Sequence, residues 1–553
     1  MRLGGKVLAD QLAIHGTDTV FCVPGESYIP LLDGLHDGSI RVVTCRNEAG
    51  AANMAEAFGK LTGRPGICMV TRGPGATHAS VGLHTAFQDS TPLILLVGQV
   101  DSGAMGREAF QEIDYRQMFA PLAKWVAQVE HADRIPELVS RAFVTACSGR
   151  PGPVVLALPE DVLAASTDVA DAAPFRIPSV GVDGNAIAQL RALLEGAERP
   201  FAIVGGAGWT RAASRDVRVF LEANAIPAGA AFRRQDVLDN DAAIYAGDVG
   251  VGINPKLAAR IREADLLLAI GPRLGEATTS RYTLLDVPTP TQKLVHVHVG
   301  ADELGRVYQA ELPIAASPEA FGAAAADLRV DPRWRTWTAA ARADYEGWQQ
   351  VETMPGAIDL ASCIAHVREC VPDAIVTNGA GNHTLWIHRF WRFHEYPTQL
   401  APTSGAMGYG LSAAIAAKMV APERTVICFS GDGDFLMLGQ ELATAVQYKL
   451  PLIALIVDNG MYGTIRMHQE RHFPGRVVGT ALRNPDFAAY ATAFGAYGEL
   501  VERTEDFADA FGRALECGVP AVLALRVDPE AITPTTTLSA VRTSGERRVL
   551  AAV

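Results

Sequence analysis

Short apolar, β-rich runs alternate along the chain with longer alanine-rich stretches of helical character. Leu93–Val97 (LILLV) and Leu452–Val457 (LIALIV) are unbroken apolar runs of strand length, as expected of strands covered on both faces. Arg41–Thr44, Ala374–Thr377 and Thr425–Ser430 read as further strands, each leading into a polar or glycine-rich turn and then a helix. This alternation predicts an α/β fold of doubly wound, mainly parallel sheets. The opening segment MRLGGKVLADQLAIHGTD reads as an amphipathic helix with polar breaks, not as a signal peptide. The apolar runs fall far short of the roughly 20 residues of a membrane span.

Two breaks divide the pattern. Ser166–Gly184 (STDVADAAPFRIPSVGVDG) is rich in Ala, Asp and Pro and reads as a linker. Arg333–Gly356 carries Trp334, Trp337 and Trp348, ends in Met-Pro-Gly, and reads as a helix crossing into another domain. The expected domains are therefore residues 1–165, 185–335 and 355–535, with a polar tail over 536–553. A chain of 553 residues accommodates three or four domains. The first and third echo one another: Gly66–Gly98 and Thr425–Asp458 each read as strand, glycine-rich turn, helix and a second strand opening with Pro-Leu-Ile. Gly73 precedes Pro92 by 19 residues and Gly431 precedes Pro451 by 20. Two such units suggest related domains that share a ligand.

Charge narrows the partners. The net charge of −13, with no lysine or arginine run, argues against a nucleic-acid or anionic-membrane surface and leaves a local phosphate site open. None of the eight cysteines stands in a C-x-x-C pair, which excludes a zinc ribbon and a thioredoxin-type motif and suits a reduced, cytoplasmic protein. In the middle domain Phe201–Gly208 (FAIVGGAG) is part of a dinucleotide fingerprint that lacks its third glycine. Glu222 lies at the right separation for a ribose contact, but a tight strand-to-helix turn accounts for the glycines.

The sharpest chemistry is Gly431-Asp432-Gly433, with Asn459 standing 27 residues after the aspartate. Both polar residues fall at the ends of expected parallel strands, on the sheet edge where open α/β folds bind ligands. A carboxylate and an amide oxygen there, with space for phosphate oxygens, suit Mg²⁺. Gly-Asp-Gly, 24 residues and then Asp458-Asn459 resemble the thiamin-diphosphate motif that runs from Gly-Asp-Gly to Asn-Asn. The resemblance implies Asp432 and Asn459 as Mg²⁺ ligands, together with the Met461 carbonyl. Asp458 replaces the usual first Asn, and Asp434 stands where many members have Ser beside the diphosphate. A carboxylate at 434 repels phosphate unless it turns away or is neutralised.

Other stretches carry the same resemblance. Gly381-Asn382-His383 matches a Gly-Gln-His that contacts the diphosphate. Gly405–Gly410 (GAMGYG) matches the segment that grips the aminopyrimidine, with Met407 as the wedge that bends the cofactor. Thr44–Glu56 resembles an Arg-His-Glu run followed by a small-residue helix. Glu48 then matches the carboxylate that bonds the pyrimidine nitrogen and shares a proton with it. The resemblance also implies cofactor contacts at Pro24, Gly25, Thr71, Pro74, Gly405, Gly431, Gly433, Asp434 and Tyr462.

The chain looks most like acetolactate synthases and related 2-oxo-acid decarboxylases and carboligases. Gly106–Glu112 (GREAFQE) resembles the synthase segment ending Phe-Gln-Glu, which places Phe110 and Gln111 against thiazolium and substrate. Thr71–His78 (TRGPGATH) resembles Ser-Gly-Pro-Gly-Ala-Thr-Asn, with His78 in place of Asn and read as a surface or helix-start residue. Gly271-Pro-Arg273-Leu-Gly-Glu276 stands where the synthases carry the Phe-Asp-Asp-Arg run of an FAD site, so FAD is in doubt. His468 stands where they place the Trp that selects the acceptor. The implied activity is decarboxylation of a 2-oxo acid with carboligation, two pyruvates giving acetolactate and CO₂. The alternatives are a decarboxylase or lyase acting on a 2-oxo acid or acyl-CoA without carboligation, and a flavin-linked oxidase. The implied assembly is a homodimer or homotetramer with the active site at a subunit interface.

Overall fold

The computed structural model describes residues 1–178 and 180–552. Its framework is three six-stranded sheets, and within each sheet every pairing is parallel. The apolar runs become the sheet centres. Leu93–Gln99 and Pro153–Pro159 are buried at every position, which explains why they lack the polar alternation of a one-sided strand.

The N-terminal sheet runs Arg41–Thr44, Thr19–Cys22, Gly66–Val70, Leu93–Gln99, Pro153–Pro159, Trp125–Gln128. Helix Glu48–Thr62 lies directly on it: a Cβ on Gly66 would sit 1.8 Å from the Ala55 carbonyl oxygen, so only glycine fits there. The opening segment is not helical throughout. Arg2–Leu3 pairs antiparallel with Ser166–Thr167, and the helix runs from Gly4 to Ile14. Arg2 fixes that start by bonding Asp10 at 2.7 Å and Asp171 at 2.8 Å, so the first part of the expected linker is ordered structure.

The central sheet runs Tyr245–Val249, Ala228–Ala231, Pro200–Val204, Leu266–Ile270, Lys293–His298, Leu312–Ala315. Numbered by chain order within the sheet this is 3-2-1-4-5-6, the dinucleotide-fold order. The tryptophan-rich stretch forms the helix Arg335–Trp348, and Trp334 anchors it by donating to the carbonyls of Asn224 and Ala225 at 3.0 and 2.9 Å.

The third sheet runs Gln399–Leu400, Ile375–Asn378, Val426–Gly431, Ile453–Asp458, Ala521–Arg526, Tyr497–Val501. By chain order this is 2-1-3-4-6-5, the same order as in the N-terminal sheet. The two echoing segments occupy the same third and fourth strands in both. Buried Asp236 ties the central region to this sheet's edge, accepting from the backbone N–H groups of Thr398 and Gln399 at 2.9 and 3.0 Å. The polar tail is the helix Leu538–Ala552, docked on helix Gly463–His472 by Arg542, which bonds Glu470 at 2.7 and 2.9 Å. Among the described residues no helix is long and apolar enough to cross a membrane.

Candidate active site

The third sheet brings its candidate residues to one place. Strand Val426–Gly431 passes straight into helix Asp432–Leu438, so Asp432 directly follows the strand and is the first residue of the helix. The neighbouring strand places Val457 opposite Gly431, and the chain then turns through Asn459 and Gly460, whose φ is +68°. Gly381, Asn382, His383, Gly405, Met407, Gly431, Asp432, Gly433, Asp434, Asn459, Met461 and Tyr462 all border one cleft of about 270 Å³. Asp359 adds a further carboxylate to its wall, and among the described residues no lysine or arginine lines it.

The details explain the glycines. A Cβ on Gly433 would lie 2.5 Å from the Tyr462 ring, and one on Gly379 would lie 2.0 Å from the Asp434 carboxylate. Asp434 is turned onto the backbone, accepting from the N–H groups of Ala380 at 3.2 Å and Gly408 at 2.8 Å. Burial pushes its carboxyl up to about 6, against the pull of those two donors. The carboxyl thus ties the Gly379–Gly381 and Gly405–Gly408 turns together.

Asp432 and Asp458 share one amide. Asn484 Nδ2 donates to Asp432 at 2.7 Å and to Asp458 at 2.8 Å. Burial, with a further push from the Asp458 charge, raises Asp432 above its ordinary value. Asn459 Oδ1 accepts from the Met461 N–H at 3.2 Å, and the Met461 segment is held by pairing with Ala481. Asn382 does not cap the following helix. Its amide donates to the Ile532 carbonyl at 3.1 Å and accepts from Thr464 at 2.8 Å. His383 is buried, and burial first and Arg233 second pull it down to about 3, so it is a neutral imidazole. Its Nε2 is a buried nitrogen without a hydrogen-bond partner, 3.9 Å from Asp434 Oδ2 at the edge of the cleft.

Those features fit a metal-bound diphosphate. Asp432, Asn459 and the Met461 carbonyl offer hard oxygens of the kind that hold Mg²⁺. A cation held there would offset the charge of an anionic occupant beside several carboxylates, in a wall with no cationic side chain among the described residues.

The N-terminal candidates gather at the ends of their own sheet. Gly25 packs on Thr71, since a Cβ on Gly25 would sit 2.4 Å from the threonine Cβ. Ser27 and Thr71 share a hydrogen bond of 2.8 Å. Pro74 opens helix Pro74–Asp89, and Glu48 opens helix Glu48–Thr62 behind an Asn47 cap. Pro24 is exposed in the adjoining turn. Gln111 has a φ of +65°, and a Cβ on Gly73 would lie 2.7 Å from the Gln111 Cβ, so that loop rests on the Gly73 turn. Glu112 fixes the loop from within by accepting from the N–H groups of Gly106 and Ala109 at 2.6 and 2.9 Å. Phe110 at its tip is 73% exposed in this chain.

Sequence reasoning missed two neighbours. His78 is not a bystander: its Nδ1 lies 3.0 Å from Glu48 Oε2. Asn484 lies in an irregular stretch with no local motif, and only the folded geometry reveals its bridge. In the central region the glycines have a packing reason. A Cβ on Gly206 would lie 2.1 Å from the Gly271 oxygen, and the Trp209 indole donates to the Gly205 carbonyl at 2.7 Å. Glu222 is exposed and faces Arg218 at 3.9 Å. His468 lies one helical turn beyond the cleft residue Ile465 and stacks with His472, ring centres 6.3 Å apart.

The chain is similar to known proteins along most of its length. Models of the thiamine pyrophosphate enzyme family match in three parts: the N-terminal TPP binding domain over residues 2–118, the central domain over 187–324, and the C-terminal TPP binding domain over 379–525. The acetolactate synthase isozyme 2 large subunit of Escherichia coli (strain K12) is 32% identical over 530 residues, spanning 95% of both chains. The acetolactate synthase large subunit of Parasynechococcus marenigrum is 31% identical, over 95% of this chain and 87% of its own. That of Corynebacterium glutamicum is 30% identical, over 93% and 84%. The chain belongs to the thiamine pyrophosphate enzyme family and is a thiamine-pyrophosphate-dependent enzyme of the acetolactate synthase type.

Proposed function

We propose that this enzyme decarboxylates a 2-oxo acid and joins the remaining fragment to a second carbonyl, with pyruvate as both donor and acceptor and acetolactate as product. The observation that carries the reading is the cleft, where Asp432, Asn459 and Met461 meet the glycine turns at Gly381 and Gly405. The relatives named acetolactate synthase support the reaction class. Bound thiamin diphosphate supplies a carbon nucleophile and an electron sink for the departing CO₂. Asp432, Asn459 and the Met461 carbonyl hold Mg²⁺ and through it the diphosphate. Gly381, Asn382 and His383 take the phosphate end, and Gly405 with Met407 the pyrimidine end. Glu48 holds a proton against the pyrimidine nitrogen, with Pro24, Gly25, Thr71 and Pro74 around it. Phe110 and Gln111 flank the substrate. The working form in this reading is a cytoplasmic homodimer or homotetramer, and all eight cysteines being free suits a reducing compartment.

The test is ¹H NMR of pyruvate incubated with enzyme, thiamin diphosphate and Mg²⁺, alongside Glu48→Gln. The expected result is acetolactate from the wild type and a loss of at least about 100-fold in the variant, the scale of a lost proton-transfer group. Pyruvate left intact by protein that holds the cofactor would sink the choice of substrate. A flavin absorbance in the purified protein would instead favour the FAD-linked reading.

A further inference from the structure

The activating carboxylate in the preceding reading has an unexpected neighbour. Glu48 is largely covered, its side chain 13% exposed, while His78 is 57% exposed. Glu48 Oε1 faces the first turn of helix Pro74–Asp89, where a Cβ on Gly75 would lie 3.4 Å away, and Oε2 faces His78 Nδ1 at 3.0 Å. Two features preset this contact. Helices Glu48–Thr62 and Pro74–Asp89 cross closely enough that a Cβ on Gly82 would lie 2.5 Å from the Ala52 Cβ. At their far ends buried Lys60 bridges Asp89 and Glu56, the latter at 3.2 Å.

We propose that His78 is a positioning and proton-relay residue that connects the Glu48 carboxyl to solvent. The proposal rests on the assignment of Glu48 as the activating carboxylate. Asn and His both carry a nitrogen two bonds beyond Cβ, so an Asn at 78 places a donor where Nδ1 stands. Histidine adds a second nitrogen, Nε2, on a side chain that is 57% exposed in the single chain. A proton leaves Glu48 Oε2 for Nδ1 as the proton on Nε2 passes to water. The carboxylate and the Nδ1–H tautomer remain, and one proton in total has moved to solvent. The reverse transfer reprotonates Glu48. Tyr28 and Cys68, which also interact with Glu48, are buried, and burial drives both upward, so neither exchanges protons near neutrality.

The experiment separates holding from relaying. In cofactor-free protein, ¹⁵N resonances of the His78 ring report the contact, and Glu48→Gln shifts them; unchanged resonances would overturn the pairing. With thiamin diphosphate and Mg²⁺ bound, the rate at which the thiazolium carbon exchanges its proton with deuterated water is read by quenched-flow NMR. In His78→Asn, which keeps the donor and loses Nε2, exchange in dilute buffer slows about 10-fold and recovers as imidazole buffer is added, with cofactor affinity within about threefold of wild type. In His78→Ala it slows further. Wild-type exchange in His78→Asn, or slowed exchange indifferent to imidazole, would overturn the relay. Wild-type exchange in Glu48→Gln would instead remove Glu48 from its role, whatever His78 does.

Discussion

At the residue scale the corner proposed for the metal includes a side chain that is not itself a candidate ligand, Asn484. Asp432 and Asp458 repel one another, and a single amide nitrogen of Asn484 donates to both, at 2.7 and 2.8 Å. Groups that orient a ligand from behind are typically worth 10–100-fold in metal affinity. Asn484→Ala is therefore expected to weaken Mg²⁺ binding by about 10–100-fold with little change in the fold, as read by calorimetric titration of Mg²⁺ at saturating thiamin diphosphate. Unchanged affinity would show that the bridge is incidental. The ligand candidates themselves were legible in sequence because strand ends are a predictable place: Asp432 and Asn459 follow two apolar runs of fixed spacing. Asn484 and His78 were not. Each acts across a contact between segments remote in sequence, 52 residues from Asn484 to Asp432 and 30 from His78 to Glu48.

At the element scale the helix that follows the Met461 loop is also the dock for the C-terminal helix. Glu470 is fully buried and holds Arg466 at 2.8 Å and Arg542 at 2.7 Å, while Leu538 and Val541 pack with Met461, Met467 and Ile532. The bond to Arg542, then the donors Gly475 and Arg466, pull the Glu470 carboxyl down to about 2. A depressed carboxyl stabilises the fold above its unfolded value and loses that contribution as pH falls through its folded value. The Leu538–Ala552 helix is therefore expected to loosen between about pH 4.5 and 2. At neutral pH, Arg542→Ala removes charged hydrogen bonds worth about 1.5–3 kcal/mol, so amide exchange in that helix should rise roughly 10- to 100-fold. Exchange unaltered by the substitution would mean that the apolar contacts alone hold the helix. The polar composition of 536–553 concealed this element: only a narrow stripe of the helix is apolar, and its anchor is an ion pair to a residue 72 positions away.

At the scale of the whole molecule, the first and third sheets along the chain share one strand order and the second has another. The sequence echo covered only the third and fourth strands of each, because those carry the glycine turns. The outer strands share their order without sharing residues. The third sheet presents a cleft with Asp359, Asp432 and Asp434 in its wall and, among the described residues, no lysine or arginine, in a chain of net charge −13. The wall itself offers a diphosphate no cationic side chain among the described residues, so in the proposed reading cofactor and metal stabilise the fold together. At about 100 times the dissociation constant a ligand adds about 2.7 kcal/mol, and a domain of this size gains roughly 2–4 °C per kcal/mol. Thiamin diphosphate with Mg²⁺ should therefore raise the melting temperature by about 5–10 °C, whereas thiamin diphosphate with EDTA should raise it by less than about 1 °C. Differential scanning calorimetry on the same preparation reads both. An equal rise without metal would show that some other cation, or the backbone N–H groups of the glycine turns, carries the charge that the cleft wall lacks.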